Sequence, residues 1–107
     1  MDDREKEGPR VSSQGLRVLS VFVNGDAQEL SGADVHRQTG LPSGTLYPIL
    51  VRFERAGWLQ SRWEKADPER MGRPRKRFYR ITRSGARAFS GLVSDVFPGG
   101  KSWAFGK

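Results

Sequence analysis

The chain has 107 residues, no cysteine, and a net charge of +7 from 19 Lys/Arg against 12 Asp/Glu. That length suits one domain with a modest core, and the missing thiols exclude disulfides and thiolate metal sites, making the reducing cytoplasm the expected compartment. No stretch approaches the length of a membrane span, and the N-terminal MDDREKEGPR is too charged for a signal peptide.

The charge is unevenly spread. Residues 1–40 hold five Lys/Arg against seven Asp/Glu, whereas residues 41–107 hold fourteen against five. From Arg70 to Arg87 there are eight basic residues and no acidic one. A field this concentrated favours a polyanion, most simply nucleic acid; the plainer alternative is a solubilising basic surface.

Residues 1–11 read as a disordered arm, charged and without an apolar period. Arg4, Lys6 and Arg10 could touch DNA, but acids alternate with them. A first helix is expected over Ser12–Val23, capped by Ser12 or Ser13, with Leu16, Leu19, Phe22 and Val23 as its stripe. Val18 and Val21 widen the stripe. The excess fits either a central place in the chain's own core or a partner subunit. Asn24-Gly25-Asp26 is a turn. A second helix runs from Gly32 to about Gln38, with Ser31 as N-cap, Val35 facing the core, Leu30 stapling the entry and Gly40 as C-cap. His36 is the only histidine. With no companion ligand it reads as a surface residue, and no metal or cofactor is expected.

Gly40–Trp58, GLPSGTLYPILVRFERAGW, organises the chain. A tight lead-in is followed by a helix beginning near Ser43–Thr45, with Ser43 as expected N-cap and Pro48 at the edge of the first turn, where its missing N–H costs little. Leu46, Ile49, Leu50 and Phe53 form a buried face. Thr45, Tyr47, Pro48, Val51, Arg52 and Arg55 fall mostly opposite. Two helices joined by Thr39–Pro42, the second with a small, hydroxyl-rich start, are what a major-groove reader needs.

The period then alternates. Trp58–Lys65 reads as a strand with Leu59, Ser61 and Trp63 on one face, and Arg77–Thr82 as its partner with Tyr79 and Ile81 inward. Between them ADPERMGRPRK makes a basic loop, so strands and loop form a wing. Gly72-Arg73-Pro74-Arg75-Lys76-Arg77 can lie along phosphates, and a Gly-Arg-Pro core can enter a narrow minor groove. A last helix is expected from Thr82 to about Phe97, with Phe89, Leu92, Val93, Val96 and Phe97 on one face. It either folds back on its own core or pairs with a second subunit. Residues 98–107 read as a flexible tail whose Trp103 and Phe105 cover exposed core or line an apolar ligand site.

At SGTLYPILVRFERAGW, the following WE pair and GRPRKRFYRITRSG, the sequence resembles the PadR family of transcriptional regulators, over roughly Leu16–Leu92. Phe53 stands where that family usually has Leu, and the C-terminal helical region is shorter than is common there. The resemblance implies an α+β winged helix-turn-helix: a three-helix core and two-stranded antiparallel wing over residues 12–82, then a C-terminal dimerisation helix over 83–97. It implies a homodimeric repressor of a palindromic double-stranded operator, released by a small aromatic or amphiphilic effector. The DNA contacts expected are Ser31, Ser43, Gly44, Thr45, Tyr47, Pro48, Arg52, Arg73, Arg75, Lys76 and Arg77. The dimer contacts are Leu16, Leu19, Phe22, Phe89, Leu92, Val93 and Val96, and the effector contacts Trp63 and Trp103. A winged-helix protein-interaction module and a non-specific DNA binder are the alternatives. No nucleophile–base pair, paired carboxylates or phosphate loop points to an enzyme.

Overall fold

A computed structural model describes residues 10–96. Its elements are α1 (Ser13–Asn24), β1 (Leu30–Ser31), α2 (Gly32–Thr39), α3 (Ser43–Arg55), β2 (Leu59–Trp63), α4 (Pro68–Met71), β3 (Arg77–Ile81) and α5 (Arg83–Val96). The helices pack on one face of a three-stranded antiparallel sheet of order β1-β3-β2. Expected features on residues 1–9 and 97–107, Phe97, Trp103 and Phe105 among them, lie outside the described residues.

Capping residues set most helix starts. Ser12 Oγ accepts from the Gly15 amide at 3.1 Å and opens α1. Ser31 opens α2 through a capping box: its Oγ accepts from Asp34 N (3.0 Å) and Asp34 Oδ2 accepts from Ser31 N (3.1 Å). Gly40 closes α2 in the left-handed conformation, φ 73°. Thr82 Oγ1 accepts from Gly85 N at 3.0 Å at the start of α5.

The core joins Val18, Leu19 and Phe22 of α1, Val35 of α2, Leu46, Ile49, Leu50 and Phe53 of α3, Trp58, Leu59 and Tyr79 at the sheet, and Phe89 and Val93 of α5. The Phe53 and Trp58 rings meet at 5.2 Å, tilted by 39°.

Several expectations are corrected. The wing has a third strand. Leu30 and Ser31 pair with Tyr79 and Phe78, so Leu30 is a sheet residue as well as a helix lead-in. A two-residue strand carries no alternation to read. Ser43 is the first residue of α3, not its cap. The cap is Pro42, whose carbonyl accepts from Thr45 N (3.0 Å) and Leu46 N (2.9 Å), and no side chain caps this end. Pro48 therefore lies inside α3, beyond the first turn, where it withholds a bond from the Gly44 carbonyl. In α1 the fully buried residues are Val18 and Leu19, while Leu16 is only partly buried. Trp63 is not core: at the wing tip it is 55% exposed. The basic loop folds a short helix, α4, capped by Asp67 Oδ1 accepting from Glu69 N at 3.0 Å. Among the described residues no helix is long and apolar enough to cross a membrane.

Candidate nucleic-acid interface

α3 has two faces because its apolar residues recur at helical spacing. Leu46, Ile49, Leu50 and Phe53 are buried, while Ser43, Gly44, Tyr47, Pro48, Val51, Arg52 and Arg55 are exposed and Thr45 is partly so. Tyr47 (40%) and Val51 (45%) are two of the three large exposed hydrophobics among the described residues. They stand one turn apart, so the exposed face offers apolar contacts as well as polar ones. Arg52 and Arg55 make no ion pair among the described residues. The uncapped first turn of α3 leaves backbone N–H groups and the positive end of the helix dipole facing solvent.

Tyr47 leans across to the start of α2. A Cβ on Gly32 would lie 2.6 Å from its Oη and 2.9 Å from its Cε1. The ring can rest there only because Gly32 has no side chain. Beyond it, α2, the Tyr47 ring and the wing enclose an open groove of about 420 Å³, lined among others by Ala33, Trp63, Arg75, Lys76 and Tyr79.

The wing arginines are not equivalent. Arg73 is clamped by Glu64: Nη1 to Oε1 at 2.8 Å and Nη2 to Oε2 at 3.1 Å. The same carboxylate accepts from the Lys76 amide at 3.1 Å. Hydrogen bonds from Arg73, then from the Lys76 backbone, hold the Glu64 carboxyl down at about 2. Arg77 donates to Ser61 Oγ (3.0 Å) and to Glu54 Oε1 (3.4 Å), and its guanidinium lies 5.1 Å from the Trp63 ring centre. Ser61 Oγ donates to Glu54 Oε2 at 2.6 Å, so α3 is tied to both wing strands. Arg75 donates through Nε to the Ala66 carbonyl, and Lys76 has no ion pair among the described residues.

The expected contacts therefore divide. Gly44, Tyr47, Pro48 and Arg52 share the exposed face of α3, with Ser43 and Thr45 at its start, and Arg75 and Lys76 stand across the groove. Ser31 does not join them: it is 1% exposed and its hydroxyl is taken by the cap of α2. Arg73 and Arg77 point their guanidinium groups at carboxylates of the same chain. Of the expected dimer contacts, Leu19, Phe22, Phe89 and Val93 are buried within the protomer, so α5 folds back on its own core. Leu16 and Leu92 remain partly open, and Leu16 edges a shallow groove of about 260 Å³ between α1 and α5. Val96 and Trp103 have no described side chain. Trp63 lines grooves of the wing, not this one. His36 is exposed, with Nδ1 2.7 Å from the Leu41 carbonyl. Among the described residues no cluster of His, Cys, Asp or Glu has the makings of a metal site.

The pattern of the Transcriptional regulator PadR-like family matches residues 28–91. No curated protein matches the sequence. Bacillus subtilis PadR, crystallised with operator DNA, is similar in fold, with TM-score 0.63 and 19% identity over 77% of this chain. The match spans 48% of that PadR chain, about half its length. A PadR-family regulator from Eggerthella lenta gives 0.62 and 22% over 78% of this chain and 73% of its own. MepR from S. aureus, crystallised with DNA, gives 0.62 and 14% over 78% and 63%.

Proposed function

The chain belongs to the PadR-like family of transcriptional regulators, and from that premise we propose that it is a sequence-specific double-stranded DNA-binding repressor that acts as a homodimer in the cytoplasm. The observation that carries the reading is the exposed face of α3. Gly44, Tyr47, Pro48, Val51 and Arg52 are exposed, outside the core, and they stand beside the cationic wing. The solved complexes of Bacillus subtilis PadR with operator DNA and of S. aureus MepR with DNA, similar in fold, support the same use.

On this reading α3 enters the major groove. Thr45 and Tyr47 meet base edges, Val51 meets a thymine methyl, and Arg52 and Arg55 meet the backbone. Ser43 and the uncapped amides beside it hold a phosphate. Arg75 and Lys76 supply the cations of the wing. Dimerisation uses the partly open edges of α1 and α5, Leu16 and Leu92 foremost, and a two-fold protein suits a palindromic operator. Repression follows from occupying a promoter. Trp63 belongs to the DNA-facing wing in this scheme, and effector release would act elsewhere, through the groove between α1 and α5.

The test is selection of duplex fragments by the purified protein at physiological salt, followed by footprinting. A palindrome with half-sites about one helical turn apart is expected. Uniformly weak binding to every fragment would reject sequence reading, and a salt-insensitive protein complex without duplex binding would favour the interaction-module alternative.

A further inference from the structure

Tyr79 carries a polar group that the fold does not use. It lies in the middle of β3, paired with Leu30 on one side and Ser61 on the other, on the sheet face turned towards α3. The residue is 5% exposed. Among the described residues no hydrogen bond to its hydroxyl is made. Yet no buried side-chain nitrogen or oxygen there lacks a partner. The hydroxyl therefore reaches the open floor of the groove between α2, Tyr47 and the wing. Burial pushes the phenol's pKa up, so it stays protonated and can donate.

Three further features converge on the same groove. Ala33 lies in the first turn of α2, where amides lack intrahelical acceptors; the Ser31 hydroxyl takes the Asp34 amide, not that of Ala33. The Tyr47 hydroxyl, without a partner among the described residues, rests over Gly32 at the rim. Arg75 and Lys76 close the far side. Neutral donors on the floor, a helix start on one wall and cations on the other suit a singly charged, tetrahedral oxyanion.

We propose that this groove seats one backbone phosphate of the bound duplex, between recognition helix and wing, with the Tyr79 hydroxyl donating to it from the floor. The inference rests on the DNA-binding function proposed above and adds a residue that alternation places in the core. The seat fixes the angle at which α3 meets the major groove, because a phosphate held between α2 and β3 anchors both sides of the helix.

The test uses the whole chain and a duplex recovered by the selection above, with single neutral methylphosphonates walked along each strand. Tyr79→Phe removes only the hydroxyl, so its melting curve should match that of the parent. Its affinity for the duplex should fall about tenfold to a hundredfold, the range for a hydrogen bond to a charged group. One phosphonate position should weaken the parent strongly and Tyr79→Phe little. An Ala33 amide resonance that moves with that duplex but not with its phosphonate version would add support. If the parent binds no duplex, the DNA-binding function itself fails. If the parent binds and Tyr79→Phe binds equally, or loses affinity evenly at every position, the seat is wrong while DNA binding stands. An Ala33 shift with inorganic phosphate but no sensitive duplex position would make the groove a small-anion site and overturn the proposal.

Discussion

Gly32→Ala separates the reading surface from the fold. The backbone at Gly32 is ordinary helix, so alanine fits it and should gain about 0.4–1 kcal/mol by narrowing the unfolded ensemble. Against that, the new Cβ would lie 2.6 Å from Tyr47 Oη, 2.9 Å from Cε1 and 3.1 Å from Cζ. Those atoms are the far end of a side chain that is 40% exposed, so the ring can swing out, at about 0.5–1.5 kcal/mol for a strained rotamer. The two terms nearly cancel. The melting temperature should move by less than about 8 °C, the shift that 1 kcal/mol gives a domain of this size. DNA affinity should drop much further, by about 1–3 kcal/mol, because the displaced ring no longer meets its base or phosphate. Thermal unfolding and fluorescence anisotropy with a selected duplex measure the two effects. Tyr47→Ala should cost a similar affinity, and the double variant no more than Tyr47→Ala alone, since both remove one contact. Unchanged affinity with unchanged melting would refute the role given to Tyr47. A large fall in melting temperature would refute the claim that its ring is free to move.

Gly85→Ala should behave oppositely: its Cβ would meet the Trp58 backbone carbonyl, with Ile81 Cγ1 at 2.8 Å, and a backbone cannot swing aside. A loss of about 3 kcal/mol is expected in denaturant unfolding. Glu64→Gln should release Arg73 to the solvent, raising duplex affinity and steepening the slope of log K against log salt by about 0.9, one extra phosphate neutralised. By the same geometry, Arg73→Ala should weaken binding less than Lys76→Ala does. The Glu64 carboxyl, held at about 2, contributes stability that is fully present above the ordinary carboxylate range and is lost progressively as pH falls from that range through about 2, so its NMR titration should lie far below that of an ordinary glutamate. Leu16→Asp should leave the protomer folded, because Leu16 is only partly buried, and should shift sedimentation to the monomer while weakening palindrome binding.

Strong periodicity made most of the scaffold legible. The four-residue recurrence of Leu46, Leu50 and its neighbours placed α3 to within a residue or two, and the alternation of Leu59, Ser61, Tyr79 and Ile81 placed β2 and β3. Short elements and local hydrogen bonding were not legible. β1 has two residues, too few for a period, and exists only because Leu30 and Ser31 lie beside Tyr79 and Phe78. Ser43 has the chemistry of a cap, but the proline before it already holds the extended conformation that a cap requires, so the helix starts one residue early. Tyr79 shows the limit most plainly. Alternation identifies an inward residue, and the ring is inward, but a phenol is long enough to carry its hydroxyl past the core to an open groove.

The basic run from Arg70 to Arg87 overstates the field that a polyanion meets. Arg73 lies against Glu64 and Arg77 against Glu54, two carboxylates that precede the run in sequence and return to it through the strand pairing. Arg80 donates from Nε and Nη2 to Gln60 Oε1 on the far face of the sheet. Counting charge along the chain treats these guanidinium groups as equal to Lys76, which has no such partner. The distinction matters for recognition because an arginine already held by a carboxylate must exchange that partner for a phosphate, and the exchange gains little in exposed, screened surroundings. An unpaired lysine gains the whole phosphate contact. Glu64 and Glu54 therefore act as shape-givers: one folds the wing loop around Arg73 and the Lys76 amide, the other locks α3 to both wing strands through Ser61 and Arg77. Of the eight, Arg70, Arg75, Lys76, Arg83 and Arg87 have no carboxylate partner among the described residues, and Arg75 and Lys76 are the two of these that stand across a groove from Tyr47. On the proposed function, the wing's aim at the duplex would come from where those two cations are held, and its salt dependence should follow the unpaired count, not the sequence count.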